Sequence, residues 1–174
     1  MRVTGGELKG WTIPGKFPEH VRPTTDMMRE AIFNKLSHTY GIEGMEVLDL
    51  FSGSGMVSLE FISRGAAAVL SIDKDAKNIA LLKQFVAAKN IQNWQLSKID
   101  VHQFLKTNER EFDIVFADPP YDMKGFAELP TLCMPSLKKG GILLLEHRPG
   151  TSFNSQPLEL RKHGSSAIAI FAKE

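Results

Sequence analysis

Two rhythms of apolar residues alternate along most of this chain. Short runs rich in apolar and β-favouring residues stand at Glu46–Phe51, Ala68–Ile72, Trp94–Ile99, Asp113–Ala117 and Gly141–Leu145, and each predicts a strand. Between them lie stretches with helical spacing, from Gly55 to Arg64, Ala76 to Lys89, Val101 to Thr107 and Lys124 to Leu137. Ahead of this alternation, Met28, Ile32 and Leu36 recur at i, i+4, i+8 with Phe33 beside them. They predict a helix over Asp26–His38, capped by Thr24 or Thr25 and ended by Gly41 and Gly44. Arg2–Thr4 and Gly10–Ile13 flank Gly5-Gly6, the pattern of a small hairpin, and Lys16–Pro23 reads as a loop. Leu158–Lys162 and Ala167–Ala172 predict a closing antiparallel pair.

Strands alternating with helices give an α/β fold: a doubly wound, mostly parallel, seven-stranded Rossmann-like sheet with an antiparallel C-terminal pair. The runs at 47–50, 114–117 and 142–145 are almost wholly apolar, as strands covered on both faces must be. The expected organisation is one compact domain, with residues 1–40 a hairpin-and-helix extension and 41–174 the ligand-binding body. Ligands of such sheets bind at the carboxyl ends of the strands near the switch point, so the motifs found there decide the function.

Composition narrows the classes. Among 174 residues, 21 are Lys or Arg and 20 are Asp or Glu, a formal charge of +1, so bulk charge alone does not hold a nucleic acid. Residues 1–40 carry a small excess of positive charge and are where a polyanion would meet the protein. Cys133 is the single cysteine, which excludes an internal disulfide and a cysteine-cluster zinc site. The histidines show no ligand spacing, and no metal is expected. No secretory signal and no membrane span are expected either, and the cytoplasm is the default setting.

The first strand runs into Asp49-Leu50-Phe51-Ser52-Gly53-Ser54-Gly55. Gly53 and Gly55 leave the turn without side chains, so a ligand can approach the backbone. Ser58 stands where a dinucleotide fingerprint has its third glycine, and Asp49 would repel a pyrophosphate, which together disfavour an NAD-dependent oxidoreductase. Asp73 ends the second strand, where an acid binds ribose hydroxyls, and Asp100 ends the third, where it could meet a base amino group. Acids at three consecutive strand ends suit a nucleoside bearing a cationic amino-acid arm, the shape of S-adenosylmethionine. Asp75 reads as a helix cap.

After the fourth strand comes Asp118-Pro119-Pro120-Tyr121. It could be a plain turn, since Asp-Pro stops a strand. As a site it is a clamp for a planar exocyclic amine. The Asp118 carboxylate and the Pro119 carbonyl accept its two N–H groups, Pro119 and Pro120 withhold donors, and Tyr121 stacks on the base. Positioning the nitrogen lone pair towards a sulfonium methyl would be the main catalytic gain.

Together these segments resemble the bacterial 16S ribosomal RNA guanine-N2 methyltransferases, the RsmD-like family. The resemblance runs over nearly the whole chain: Arg2-Val3-Thr4-Gly5-Gly6, Arg22-Pro23-Thr24-Thr25-Asp26 with Arg29-Glu30 and Phe33-Asn34, the Asp49–Gly55 turn with Leu59-Glu60 and Ser63–Ala66, Asp118–Tyr121, and Arg161–Gly164. His163 stands where an aromatic residue is expected, and Asp73 where the family often has Glu. The resemblance implies a Rossmann-like methyltransferase fold and methyl transfer from S-adenosylmethionine to N2 of a guanine in small-subunit rRNA or a partly assembled subunit. It implies that Asp49, Phe51, Gly53, Gly55, Asp73 and Asp100 hold the cofactor and Asp118–Tyr121 the base. Arg2, Arg22, Thr24 and Arg29 would contact RNA or order the loop over the site, and the protein would be a monomer. A DNA adenine-N6 methyltransferase uses the same kind of clamp, and a catalytically vestigial assembly factor would keep the cofactor turn; both alternatives stay open at this level.

Overall fold

A computed structural model describes residues 1–15 and 25–174 of the chain. The elements are α1 (Asp26–Thr39), β1 (Glu46–Leu50), α2 (Met56–Ser63), β2 (Ala68–Asp73), α3 (Ala76–Ala88), β3 (Trp94–Lys98), α4 (Val101–Thr107), β4 (Phe112–Ala117), α5 (Leu129–Cys133), β5 (Leu137–His147), β6 (Glu159–His163) and β7 (Ser166–Ala172). The strands form one sheet in the order β3-β2-β1-β4-β5-β7-β6. Pairing is parallel through β5, and β7 is antiparallel to both β5 and β6. The order reverses between β1 and β4, so their carboxyl ends flank the switch point.

Two-residue alternation divides the strand side chains between two cores. Val47, Val69, Ile114, Phe116, Leu144 and Ile168 face α1, α2 and α3, meeting Ile32, Phe33, Leu36, Leu59 and Leu82. Leu48, Leu50, Ile72, Val115, Leu143 and Leu145 face α4 and α5, meeting Val101, Leu129 and Cys133. Val3 and Ile13 join the first core, so the N-terminal residues pack with the sheet.

Three expectations change. Residues 1–15 form no strands: Val3 N–H donates to the Trp11 carbonyl and Gly10 N–H to that of Val3, and the pairing stops there. The donors that would extend a hairpin are taken elsewhere, Thr4 and Gly5 N–H by the Glu60 carboxylate and Leu8 N–H by Ser63 Oγ. The expected helix over Lys124–Leu137 is broken into a 3-10 turn (Phe126–Glu128), the short α5 and a second 3-10 turn (Met134–Ser136). Pro130 and Pro135 lack the N–H that a continuous helix needs. Strand β5 starts earlier than Gly141, because Leu137 pairs with Phe112 and a bulge then shifts the register to Ile114–Ile142. The expected Lys16–Pro23 loop lies outside the described residues. Among the described residues no helix is long and apolar enough to cross a membrane.

Candidate active site

The turn from β1 to α2 is built from left-handed residues. Phe51, Gly53 and Gly55 have φ of 61°, 49° and 75°. Phe51, which has a Cβ, holds that conformation with its ring packed against the α4/α5-side core. Ser52 N–H donates to the Ile72 carbonyl at 2.9 Å. The Asp73 carboxylate accepts Gly53 N–H at 2.8 Å and Asp75 N–H at 2.8 Å, tying the turn to the end of β2. A Cβ on Gly55 would lie 2.6 Å from Leu82 Cδ2 and 3.1 Å from Trp94 Cη2. Gly55 is therefore a glycine because the turn packs inward on α3 and β3, whereas the sequence suggested clearance for a ligand.

Asp49 is 1% exposed, on the α2 side of the sheet. Its Oδ2 accepts the Ser58 hydroxyl at 2.5 Å. Burial pushes its pKa up to about 7, against the Ser58 hydrogen bonding, and the Asp73 charge adds to the rise. Ser58 Oγ lies 2.6 Å from Ser71 Oγ, and the Trp94 indole donates to Ser71 Oγ at 2.7 Å. Asp100 caps α4, accepting Gln103 N–H at 3.2 Å, and Asp75 caps α3.

Across the switch point, Asp118 follows β4 directly. Its carboxyl is held well above the usual range, first by burial and then by the charges of Glu146 and Asp49. Asp118 and Glu146 each follow Ala117 and Leu145, the last registered pair of β4 and β5. Glu146 is 6% exposed. Among the described residues Asp49, Asp73 and Asp118 form no ion pair, and no group of His, Cys, Asp and Glu is arranged to hold a metal. Tyr121 is exposed, with the Arg148 guanidinium 4.6 Å from its ring centre.

One expected RNA contact does not survive. Arg29 is 2% exposed, and its Nε donates to the fully buried Glu60 at 3.3 Å while another nitrogen pairs with Asp26 at 2.8 Å. It also donates to the Arg2 carbonyl. A guanidinium spent on a buried carboxylate cannot reach a phosphate, so Arg29 braces the fold. Arg2 remains on the surface, its side chain 72% exposed and near Asp26. Arg22 and Thr24 lie outside the described residues. Sequence reasoning gave Glu146, at the end of the fifth strand, no more than the steadying of a neighbouring loop, and gave Arg148, Ser71 and Trp94 no role. The available signals were a charge ending the apolar run of β5 and a lone serine inside that of β2.

Comparisons with known proteins identify the family. A family profile described as "Conserved hypothetical protein 95" matches residues 1–171. "Ribosomal RNA small subunit methyltransferase D" of Buchnera aphidicola is 37% identical over 120 residues, covering 68% of this chain and 62% of that relative's length. YlbH of Bacillus subtilis is 30% identical over 184 residues, covering 99% of both. The structure of yhhF from Escherichia coli superposes with a TM-score of 0.85 at 27% identity, covering 100% of this chain and 99% of that one. The chain thus belongs to the Conserved hypothetical protein 95 family, the RsmD-like S-adenosylmethionine methyltransferases.

Proposed function

We propose that this protein transfers a methyl group from S-adenosylmethionine to the exocyclic N2 of a guanine in small-subunit ribosomal RNA. The observation that carries the reading is the placement of Asp118–Tyr121 at the end of β4, beside the β1 end that carries the Phe51–Gly55 turn. Relatives named as small-subunit rRNA methyltransferases support the RNA target.

The residues present fit the cofactor. Asp49 and Asp73 bring negative charge to the β1 and β2 ends with no described cation paired to them, which suits a cationic ligand. Ser52 Oγ is buried with no hydrogen-bond partner among the described residues. When bound, the cofactor supplies an electrophilic methyl group. The Phe51–Gly55 turn would hold it, Asp73 would take its ribose hydroxyls, and Asp100, half exposed, would meet its base.

The rest is done by this chain's own groups. The Asp118 carboxylate and the Pro119 carbonyl accept the N–H groups of the target amine and aim its lone pair. Tyr121 stacks on the base. As the nitrogen bonds to the methyl carbon and the sulfonium–methyl bond breaks, leaving S-adenosylhomocysteine as the neutral thioether, the nitrogen sheds one proton to the Asp118 carboxylate. Asp118 must be ionised to do this, and its surroundings make that form scarce at low pH. Arg2, exposed at the N-terminal edge, is available to an RNA phosphate.

Labelled S-adenosylmethionine, offered with unmodified 16S rRNA, small-subunit particles and unmethylated DNA, tests the reading. N2-methylguanosine from RNA or particles is the expected product. N6-methyladenine from DNA would overturn the target, and no product from any substrate would overturn the activity.

A further inference from the structure

Helix α2 begins without a side-chain cap, because its N-cap residue is Gly55. The first turn nevertheless has an anion: Asp49, reaching from β1, accepts the hydroxyl of Ser58. A carboxylate at this position meets the positive end of the helix dipole. The residues between Asp49 and Ser58 are the proposed cofactor turn, so this contact closes its two ends upon each other.

The contact extends inward. An indole N–H can only donate, so Ser71 Oγ accepts from Trp94 at 2.7 Å. The Ser71 proton is then directed at Ser58 Oγ, 2.6 Å away, and the Ser58 proton at Asp49 Oδ2, 2.5 Å away. Each hydroxyl has one proton, so the chain runs one way, from an indole on β3 through β2 and α2 to the end of β1. Ser58 and Ser71 are fully buried and Trp94 is 4% exposed, which shields the chain from bulk solvent. Successive donors polarise one another and favour a charged acceptor at the far end.

We infer that Ser58, Ser71 and Trp94 are positioning residues, a one-way hydrogen-bond chain that orients Asp49 and thereby fixes the Phe51–Gly55 turn in its ligand-binding shape. The effect on ligand rests on the cofactor reading above; the effect on the turn does not. Among the described residues the charged groups facing Asp49 are carboxyls: Asp73 at the end of β2, and Asp118 after β4 with Glu146 of β5 beside it. From α2 and β3 it meets only the uncharged Ser58 and, through Ser71, Trp94. The hydroxyl donor is thus the chief feature opposing neutralisation of Asp49.

The test uses the full chain with Ser58→Ala and Trp94→Phe, neither of which removes a group offered to the ligand. In ligand-free protein, Ser58→Ala should speed amide exchange at residues 51–58 by about tenfold, and Trp94→Phe should do so less, with α5 and β7 amides unchanged. With S-adenosylhomocysteine as the probe, Ser58→Ala should weaken binding about three- to tenfold at pH 7 and move the pH midpoint of affinity upward. Unchanged exchange at 51–58, or faster exchange throughout the molecule, would overturn the inference, as would an unmoved pH midpoint. Failure of the unmodified protein to bind the probe would sink the cofactor reading instead, and the exchange data would still decide whether the chain holds the turn.

Discussion

Asp118 and Glu146 stand side by side at the ends of adjacent parallel strands, each directly after the Ala117–Leu145 pair. Burial disfavours the ionisation of Asp118 first, the Glu146 charge adds to this, and Asp49 adds a third contribution. The raised carboxyl binds its proton over a wider range of pH than an exposed one.

This arrangement fixes the direction of a pH profile. Transfer requires ionised Asp118, so kcat/KM should fall as pH drops through a range above that of ordinary carboxylates. Glu146→Gln removes one repelling charge, and the acid limb should move to lower pH. A titration of kcat/KM for both proteins checks this; a lowered plateau with an unmoved limb would mean Glu146 acts only through packing.

Asp118→Ala should leave S-adenosylhomocysteine binding intact and cut methyl transfer by about a hundredfold or more, since it deletes an amine acceptor and the proton's destination. Calorimetry and single-turnover assays separate the two effects. Undiminished transfer would refute the clamp.

Asp49 makes a prediction about stability. Its folded pKa of about 7 lies above the ordinary 3.8, so the folded state holds the proton more tightly. The corresponding stabilisation is complete below pH 3.8 and is lost as pH rises through about 7. Asp49→Asn keeps an oxygen acceptor for Ser58 without the buried charge. Its melting temperature should gain on the wild type between pH 5 and 8, by the equivalent of a few kcal/mol, while probe binding weakens. Thermal melts at the two pH values read this directly.

Glu60 is fully buried and accepts from Thr4 N and Oγ1, Gly5 N, Arg29 Nε and Arg64 Nε. Glu60→Ala would take one of two carboxylate partners from the buried Arg29 and leave the Thr4 and Gly5 N–H donors unmet, and should cost about 3–5 kcal/mol in urea unfolding. A loss under about 1 kcal/mol would mean water or a neighbour takes over the guanidinium.

Much of the fold could be read from the chain because strand cores such as Val47–Leu50 and Ile114–Ala117 declare themselves as local apolar runs. The proposed Asp118–Tyr121 clamp could be read for the same reason: its members are contiguous. The hidden parts are contacts across sequence. Ser58 meets Asp49 nine residues away, and Trp94 meets Ser71 at a separation of 23. A polar residue inside an apolar pattern announces that it has a partner without saying which. The same limit explains the N-terminal segment and Arg29. Gly5-Gly6 signals a hairpin locally, but Glu60 sits 56 residues from Thr4 and takes the donors.

That buried carboxylate also says something about the order in which the molecule can be assembled. Among the described residues every partner of Glu60 lies between Thr4 and Arg64. Strands β2 to β7 all come later in the chain. Chemically, the knot is complete once residue 64 has been synthesised, with most of the sheet still unmade. A growing chain therefore carries the counter-charges for its most deeply buried acid before the residues of β2 to β7 exist.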